Sequence, residues 1–166
     1  MEFNELINVR RSVRSYDSSI SKQDIETIIS KAQLAPSWKN SQTGRYYVAI
    51  SEDMISKVYE CLPEFNQKSS KNAAYIISTF KKGISGDGND YWGSYDLGLQ
   101  NSYLVLAASQ LGYDTLIMGL RDEDELRKLF NIPDDEMLLP VIAIGKSSVE
   151  KNLRPRKQLD EILEIR

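Results

Sequence analysis

Residues 21–50 read SKQDIETIISKAQLAPSWKNSQTGRYYVAI. Ile25, Ile28, Ile29, Ala32 and Ala35 recur at helical spacing, so the first half predicts an amphipathic helix. Ser21, with Asp24 three residues on, reads as the start of that helix, a variant of the capping box. Pro36 ends it, because proline has no N–H to donate and clashes with the preceding turn. A polar loop follows, Ser37-Trp38-Lys39-Asn40-Ser41-Gln42, and then an apolar run, Tyr46-Tyr47-Val48-Ala49-Ile50, that reads as a strand. A loop of Ser, Asn and Gln held between a helix and a strand presents amide donors and acceptors at a fixed place.

Outward from this segment the same alternation continues. Helices are predicted near 3–9, 21–34, 52–61, 96–111 and 122–130, and strands near 45–50, 74–80, 113–118 and 139–145. This is an α+β pattern without linker or repeat, expected to form one domain over residues 1–166. The segment Asp96 to Leu111 is apolar on most sides and must be covered all round, and a second copy of the chain is one way to cover it. Asp122 reads as a cap for the helix carrying Leu126, Leu129 and Phe130, which Asn131-Ile132-Pro133 closes. The run Leu138 to Ile144 reads as a buried strand with Pro140 near its start.

Charge supplies an independent signal. The chain is acidic, with 24 Asp+Glu against 21 Lys+Arg, yet arginines gather at both ends: Arg10-Arg11-Ser12-Val13-Arg14 and Arg154-Pro155-Arg156-Lys157. Guanidinium groups fit phosphate in a bidentate way, and Ser12 adds a hydroxyl. If the ends meet, these groups can clamp one phosphate. A nucleic-acid arm is disfavoured, because such arms sit on basic domains.

Four features in sequence resemble the flavin-dependent nitroreductase family. They are the Arg-Arg-Ser-x-Arg opening, the Ala35-Pro36-Ser37-Trp38-Lys39-Asn40-Ser41-Gln42 loop, the turn Leu116-Ile117-Met118-Gly119-Leu120 and the C-terminal Arg154-Pro155-Arg156-Lys157-Gln158-Leu159. The chain departs from the pattern at Thr43-Gly44, where the family usually has Pro and an aromatic, and it is short between 80 and 96. The resemblance implies a nitroreductase-like fold: a central, mostly antiparallel sheet flanked by helices, in an intertwined homodimer with FMN at the interface. By the same resemblance, Arg10, Arg11, Ser12 and Arg14 would hold the flavin phosphate, ribityl chain and pyrimidine edge. Arg154 and Arg156 would complete the phosphate clamp. Asn40 would lie near the ring's polar edge, with Pro36, Ser37 and Trp38 lining the site, and the backbone N–H groups of Met118 and Gly119 would lie near flavin N5.

Residues absent from the chain narrow the chemistry further. There is no histidine, so no His-containing triad, no His metal site and no His general base. No side chain is assigned a catalytic role, and no metal is expected; a flavin brings its own redox chemistry and asks the protein for binding and orientation. No Gly-x-Gly-x-x-Gly nucleotide motif is present, so NADH or NADPH is expected to dock transiently and alternate with the acceptor in ping-pong fashion. The expected activity is NAD(P)H-driven reduction of nitroaromatics, quinones or related small acceptors. A second reading is a protein that stores or senses FMN without turnover. Gly145-Lys146-Ser147 lacks the upstream glycine of a phosphate-binding loop, which is Pro140 here, and Asp87-Gly88-Asn89-Asp90 lacks the ligand spacing of a calcium loop. Gly83 to Gly93 reads as a flexible loop over the site. Cys61 is the only cysteine and reads as a small core residue. With no apolar run long enough for a bilayer and no signal-peptide pattern at the start, the expected location is the cytoplasm.

Overall fold

The computed structural model describes residues 2–84, 90–152 and 154–166. Its elements run α1 (Phe3–Val9), α2 (Lys22–Ala32), β1 (Gly44–Ala49), α3 (Glu52–Glu60), α4 (Glu64–Ser70), β2 (Ala74–Lys81), α5 (Tyr91–Gln110), β3 (Asp114–Met118), α6 (Glu123–Phe130) and β4 (Glu136–Gly145), with single 3-10 turns at Trp38–Asn40 and Leu159–Glu161. The four strands form one antiparallel sheet in the order β1-β2-β4-β3.

Strand alternation divides the core between the two faces of this sheet. Tyr75, Ile77, Val141 and Ala143 point to one side, where Val58 of α3 and Leu126 of α6 meet them. Ala74, Ile76, Ile142 and Ile144 point to the other, against Ile25 and Ile28 of α2 and Leu104 and Ala108 of α5. The sheet is therefore sandwiched between helices, which is why β2 reads as a continuous apolar run. The caps expected from sequence form. Asp24 N–H donates to Ser21 Oγ at 3.1 Å and Glu125 N–H to Asp122 Oδ1 at 3.1 Å.

Three expectations need correction. Pro140 lies mid-strand, since β4 begins at Glu136. It is tolerated because the β2–β4 register shifts between Ile77↔Val141 and Thr79↔Leu138, a bulge that leaves Pro140 off the ladder. Helix α5 begins at Tyr91, so Gly93 is helical and not part of the loop, of which residues 85–89 lie outside the described set together with most of the Asp87–Asp90 segment. Helix α4 was not expected, because its pattern is inverted: Phe65 faces solvent while Asn66, Ser69 and Ser70 are buried. Hydrogen bonds hold it in place of apolar packing. Asn66 Nδ2 donates to Leu120 O at 2.8 Å and Gln67 Nε2 to Leu62 O at 2.8 Å.

The departure at Thr43-Gly44 has a packing reason: a Cβ on Gly44 would collide with the side-chain amide of Gln100 on α5. No described helix is long and apolar enough to cross a membrane. Among the described residues, no group of three or more carboxylates or thiols is placed to hold a metal.

Candidate active site

After α1 the chain runs extended beside β3, the edge of the sheet. Ser12 forms a parallel bridge with Thr115, and Val13 N–H donates to Thr115 O at 3.1 Å. Val13 and Tyr16 turn inward and are buried, and Tyr16 Oη donates to Val13 O at 3.0 Å. Ser12 and Arg14 alternate outward to the exposed side. The segment is then clasped to the end of β4. Asp17 N–H donates to Lys146 O at 2.8 Å, and Lys146 N–H to Ser18 O at 2.9 Å. Gly145 permits this clasp, because any Cβ there would strike Ser18 O. The Gly145-Lys146-Ser147 sequence therefore serves a close backbone approach.

The clasp steers the C-terminal segment back over the N-terminal one. Ser148 N–H donates to Asp17 Oδ2 at 2.6 Å, and Lys151 Nζ pairs with the buried carboxylate of Asp114 at 2.6 Å. The result is a cavity of ≈ 440 Å³ lined by Arg10, Arg11, Ser12, Arg14, Arg154 and Arg156, with Val149 to Asn152 completing its wall. The two arginine clusters of the sequence are joined in space.

Five arginines and Lys151 outnumber the one carboxylate, Glu150, that lines this cavity. Among the described residues, no carboxylate lies within 4.0 Å of any of its five guanidinium groups; the nearby acid Asp114 is occupied by Lys151. Burial, and then repulsion from Arg11 and Arg156, hold the Arg10 guanidinium below its ordinary pKa. Like charges held together in a partly desolvated place call for an anion between them.

A second cavity of ≈ 490 Å³ adjoins the first, and Arg10 lines both. Its walls are mainly apolar, with Val105, Leu106, Ile117, Leu139 and Pro140, and Asn101 and Ser102 add polar atoms. At the end of β3, Met118 is 3% exposed and its side chain joins the core. Gly119 and Leu120 emerge into solvent, and neither N–H has a hydrogen-bond partner among the described residues.

The Pro36–Asn40 loop lines neither cavity. It closes a separate crevice with Trp92, Gly93 and Asp96 at the start of α5. Trp38 N–H donates to Asp96 Oδ2 at 2.8 Å and Gln42 N–H to Ser37 Oγ at 3.1 Å. Lys39, Asn40 and Gln42 all adopt left-handed backbone, with φ of 48°, 56° and 48°. Lys39 Nζ lies 4.6 Å from the Trp38 ring centroid. The structure thus joins Arg10, Arg11, Ser12, Arg14, Arg154 and Arg156. It leaves Trp38 in a separate crevice, Pro36, Ser37 and Asn40 on the loop beside it, and Met118 and Gly119 at the strand end.

Two contributors were missed from sequence. Asp96, the one acid on an apolar helix, is 3% exposed and anchors the loop; a charge set among leucines was the available signal. Asn101 is likewise buried one turn along and bonds Ser78 Oγ at 3.1 Å. Cys61 packs at the edge of the core. Its thiol is pushed above the usual pKa by burial and then by Asp122, Glu125 and Glu60.

Comparisons with known proteins point one way. The Nitroreductase family model matches residues 7–92 and 64–146. An Archaeoglobus fulgidus protein, provisionally named NADH dehydrogenase/NAD(P)H nitroreductase, is 31% identical over 153 residues, covering 89% of this chain and 87% of that protein. The crystal structure of a nitroreductase family protein from Streptococcus pneumoniae superposes with a TM-score of 0.87 at 20% identity, covering 99% of this chain and 100% of the other. That of a Staphylococcus epidermidis protein, provisionally named NAD(P)H:FMN oxidoreductase, has a TM-score of 0.83 at 25% identity, covering 99% and 95%.

Proposed function

This chain belongs to the nitroreductase family, and from that membership we propose that it is an FMN-dependent oxidoreductase that takes hydride from NADH or NADPH and reduces nitroaromatics, quinones or related small acceptors. The observation that carries the reading is the cavity of five guanidinium groups, none of them in an ion pair within 4.0 Å among the described residues and only Glu150 as a carboxylate in the wall. A terminal phosphate is the anion that fits it, and a riboflavin without phosphate would leave it unsatisfied.

The residues present suit FMN. Arg10, Arg11, Arg154 and Arg156 would hold the phosphate by charge-assisted hydrogen bonds, with Ser12 contributing its hydroxyl. Arg14 would add positive charge toward the ring's pyrimidine edge. The apolar cavity that shares Arg10 suits a flat ring system, whose polar edge would find Asn101 and Ser102. The N–H groups of Met118 and Gly119 would lie near flavin N5, and that of Gly119 has no partner among the described residues. When bound, the flavin supplies two-electron hydride chemistry. The protein's part is to orient it, to keep one face open to donor and acceptor, and to exclude water from the buried side.

The chain is read as a single domain that works as a homodimer. Helix α5 covers its inner face against α2 and the sheet, but leaves Trp92, Tyr95 and Tyr103 exposed. The tail exposes Leu159, Ile162, Leu163 and Ile165. A second copy would bury these surfaces and bring its Pro36–Asn40 loop to the partner's arginine cavity, completing a site that one protomer leaves divided.

The test is direct. The purified protein is examined for flavin absorbance and then given NADH or NADPH without oxygen. Rapid bleaching, reversed by a quinone or nitroaromatic, is expected. Colour that persists without bleaching rejects the enzyme in favour of an FMN-storing or FMN-sensing protein.

A further inference from the structure

Beyond β4 the chain has no regular element until the 3-10 turn at Leu159, yet Arg154 and Arg156 line one cavity with the N-terminal arginines. After the clasp at Lys146, two bonds tie this segment to the body of the fold. Ser148 N–H donates to Asp17 Oδ2 at 2.6 Å, and Lys151 Nζ pairs with Asp114 Oδ1 at 2.6 Å. From Asn152 to Gln158 the described residues are all exposed, and none of them makes a hydrogen bond or ion pair with the body of the fold. Lys151 is therefore the last fixed point before the two arginines.

The pair differs from an ordinary surface ion pair. The Asp114 side chain is only 4% exposed, against 37% for Lys151. Asp114 opens β3, and its neighbour Thr115 bridges to Ser12 and accepts from Val13 N–H. The carboxylate is thus set into the sheet edge along which the first arginine cluster runs. A buried carboxylate needs a cation. Six cationic side chains line the neighbouring cavity, and the one Asp114 holds is the lysine. That choice leaves the forked guanidinium groups free for an anion and ties down the strand of chain that carries two of them.

We propose that Lys151 and Asp114 are positioning residues, whose ion pair anchors the C-terminal segment so that Arg154 and Arg156 face the phosphate of the bound flavin. The proposal rests on the flavin reading above. Tether length sets the size of the effect. Arg154 and Arg156 lie three and five residues past Lys151, but six and eight past Ser148, the next anchor back. The local concentration of a tethered group falls roughly as the −3/2 power of tether length. Releasing Lys151 therefore dilutes Arg154 about threefold and Arg156 about twofold at the cavity, a loss of FMN affinity of roughly three- to sixfold.

The experiment measures the dissociation constants of FMN and riboflavin on the full-length protein by quenching of flavin fluorescence. Asp114→Asn and Lys151→Gln should each weaken FMN by roughly three- to sixfold and leave riboflavin, which carries no phosphate, bound as in the parent. Lys151→Gln should lose the more, because it leaves an unpaired buried carboxylate beside the arginines. Lys151→Arg keeps a cation for Asp114 and should keep the parent's FMN affinity. The double variant of Asp114→Asn with Lys151→Gln buries no unpaired charge, and it should show the same loss where a single variant fails to fold. Asp114→Asn separates an anchor from a direct ligand: if Lys151 met the phosphate itself, freeing it from Asp114 would hold or tighten FMN, and the positioning role is overturned. Equal losses for both flavins would reduce the pair to a stabiliser of the fold and overturn the role as well. A parent that prefers FMN, with variants that keep the full preference, overturns the anchor and leaves the flavin reading standing. A parent that binds both flavins equally, or neither, overturns the phosphate reading itself.

Discussion

Truncating Arg156 separates the phosphate clamp from the rest of the fold. Arg156 lies on the exposed C-terminal segment, lines the cavity with Arg10, and has no carboxylate partner among the described residues. Its proximity helps to lower the pKa of Arg10, so the two cations repel each other when no anion is present. Arg156→Ala should therefore leave the unliganded protein as stable as before or slightly more so. Its effect should appear on binding a phosphorylated ligand. A hydrogen bond to a charged group contributes roughly 1.5–3 kcal/mol, and an exposed guanidinium loses part of that to solvent screening. About 1–2 kcal/mol remains, which is roughly a five- to thirtyfold weaker Kd for FMN. Riboflavin, which lacks the phosphate, should bind parent and variant equally.

The assay is quenching of flavin fluorescence at about 0.15 M salt, where distant charges are screened within about 8 Å and local contacts dominate. The quantity that decides is the ratio of the FMN and riboflavin dissociation constants. It should be large in the parent and should shrink in Arg156→Ala. Equal affinity of the parent for both flavins, or an equal loss for both in the variant, would remove the phosphate from the cavity and with it the main physical support for FMN.

Other expectations follow from single residues. If Arg14 holds the proposed place at the ring's pyrimidine edge, Arg14→Ala should weaken FMN binding by roughly ten- to two-hundredfold and lower the flavin midpoint potential; an unchanged or more positive potential reduces it to an anchor. Sedimentation at micromolar concentration should show a dimer, and a flavin-loaded monomer would contradict the shared site. Asp122→Ala should lower unfolding free energy by about 1 kcal/mol, read from denaturant midpoints, since it loses the cap on Glu125 N–H. Cys61 should react with thiol reagents more slowly than a free cysteine at pH 8. Burial and its acidic neighbours raise the thiol pKa, so less thiolate than in free cysteine is present until the pH exceeds that raised value; a rate equal to free cysteine would refute that environment.

The sequence made most elements legible because most bury an apolar face in a regular rhythm. Where burial is polar, the rhythm fails. Helix α4 turns Phe65 outward and Asn66 and Ser70 inward, so a search for apolar periodicity passes over it. The start of α5 was hidden by Gly93, Ser94 and Gly98, poor helix formers whose small size lets other groups approach: a Cβ on Gly93 would strike the Phe80 ring. Pro140 was misplaced because a bulge depends on the partner strand, which local sequence does not report.

The site shows the same division in a sharper form. Charge contrast made the two arginine clusters conspicuous, since guanidinium groups gathered on an acidic chain need a reason. Nothing in sequence joined them; that was done by the backbone clasp of Asp17 and Ser18 on Lys146 and by the Lys151–Asp114 pair.

The polar loop poses the remaining physical question. Left-handed backbone costs non-glycine residues about 1–2 kcal/mol each, Asn40 less than Lys39 and Gln42. A plain connection between α2 and β1 would shed that strain. Here one buried carboxylate, Asp96, and one hydroxyl, Ser37, hold the loop against it, and Trp38 is tied in place at 2.8 Å. Holding a strained polar loop rigid, with the Asn40 side chain left exposed, has little structural return within one protomer. It gains one if a partner's arginine cavity lies opposite, where a pre-set amide can meet the ring's polar edge without ordering on arrival. The strain of the loop and the division of the site between separate cavities would be accounted for together by two copies facing each other.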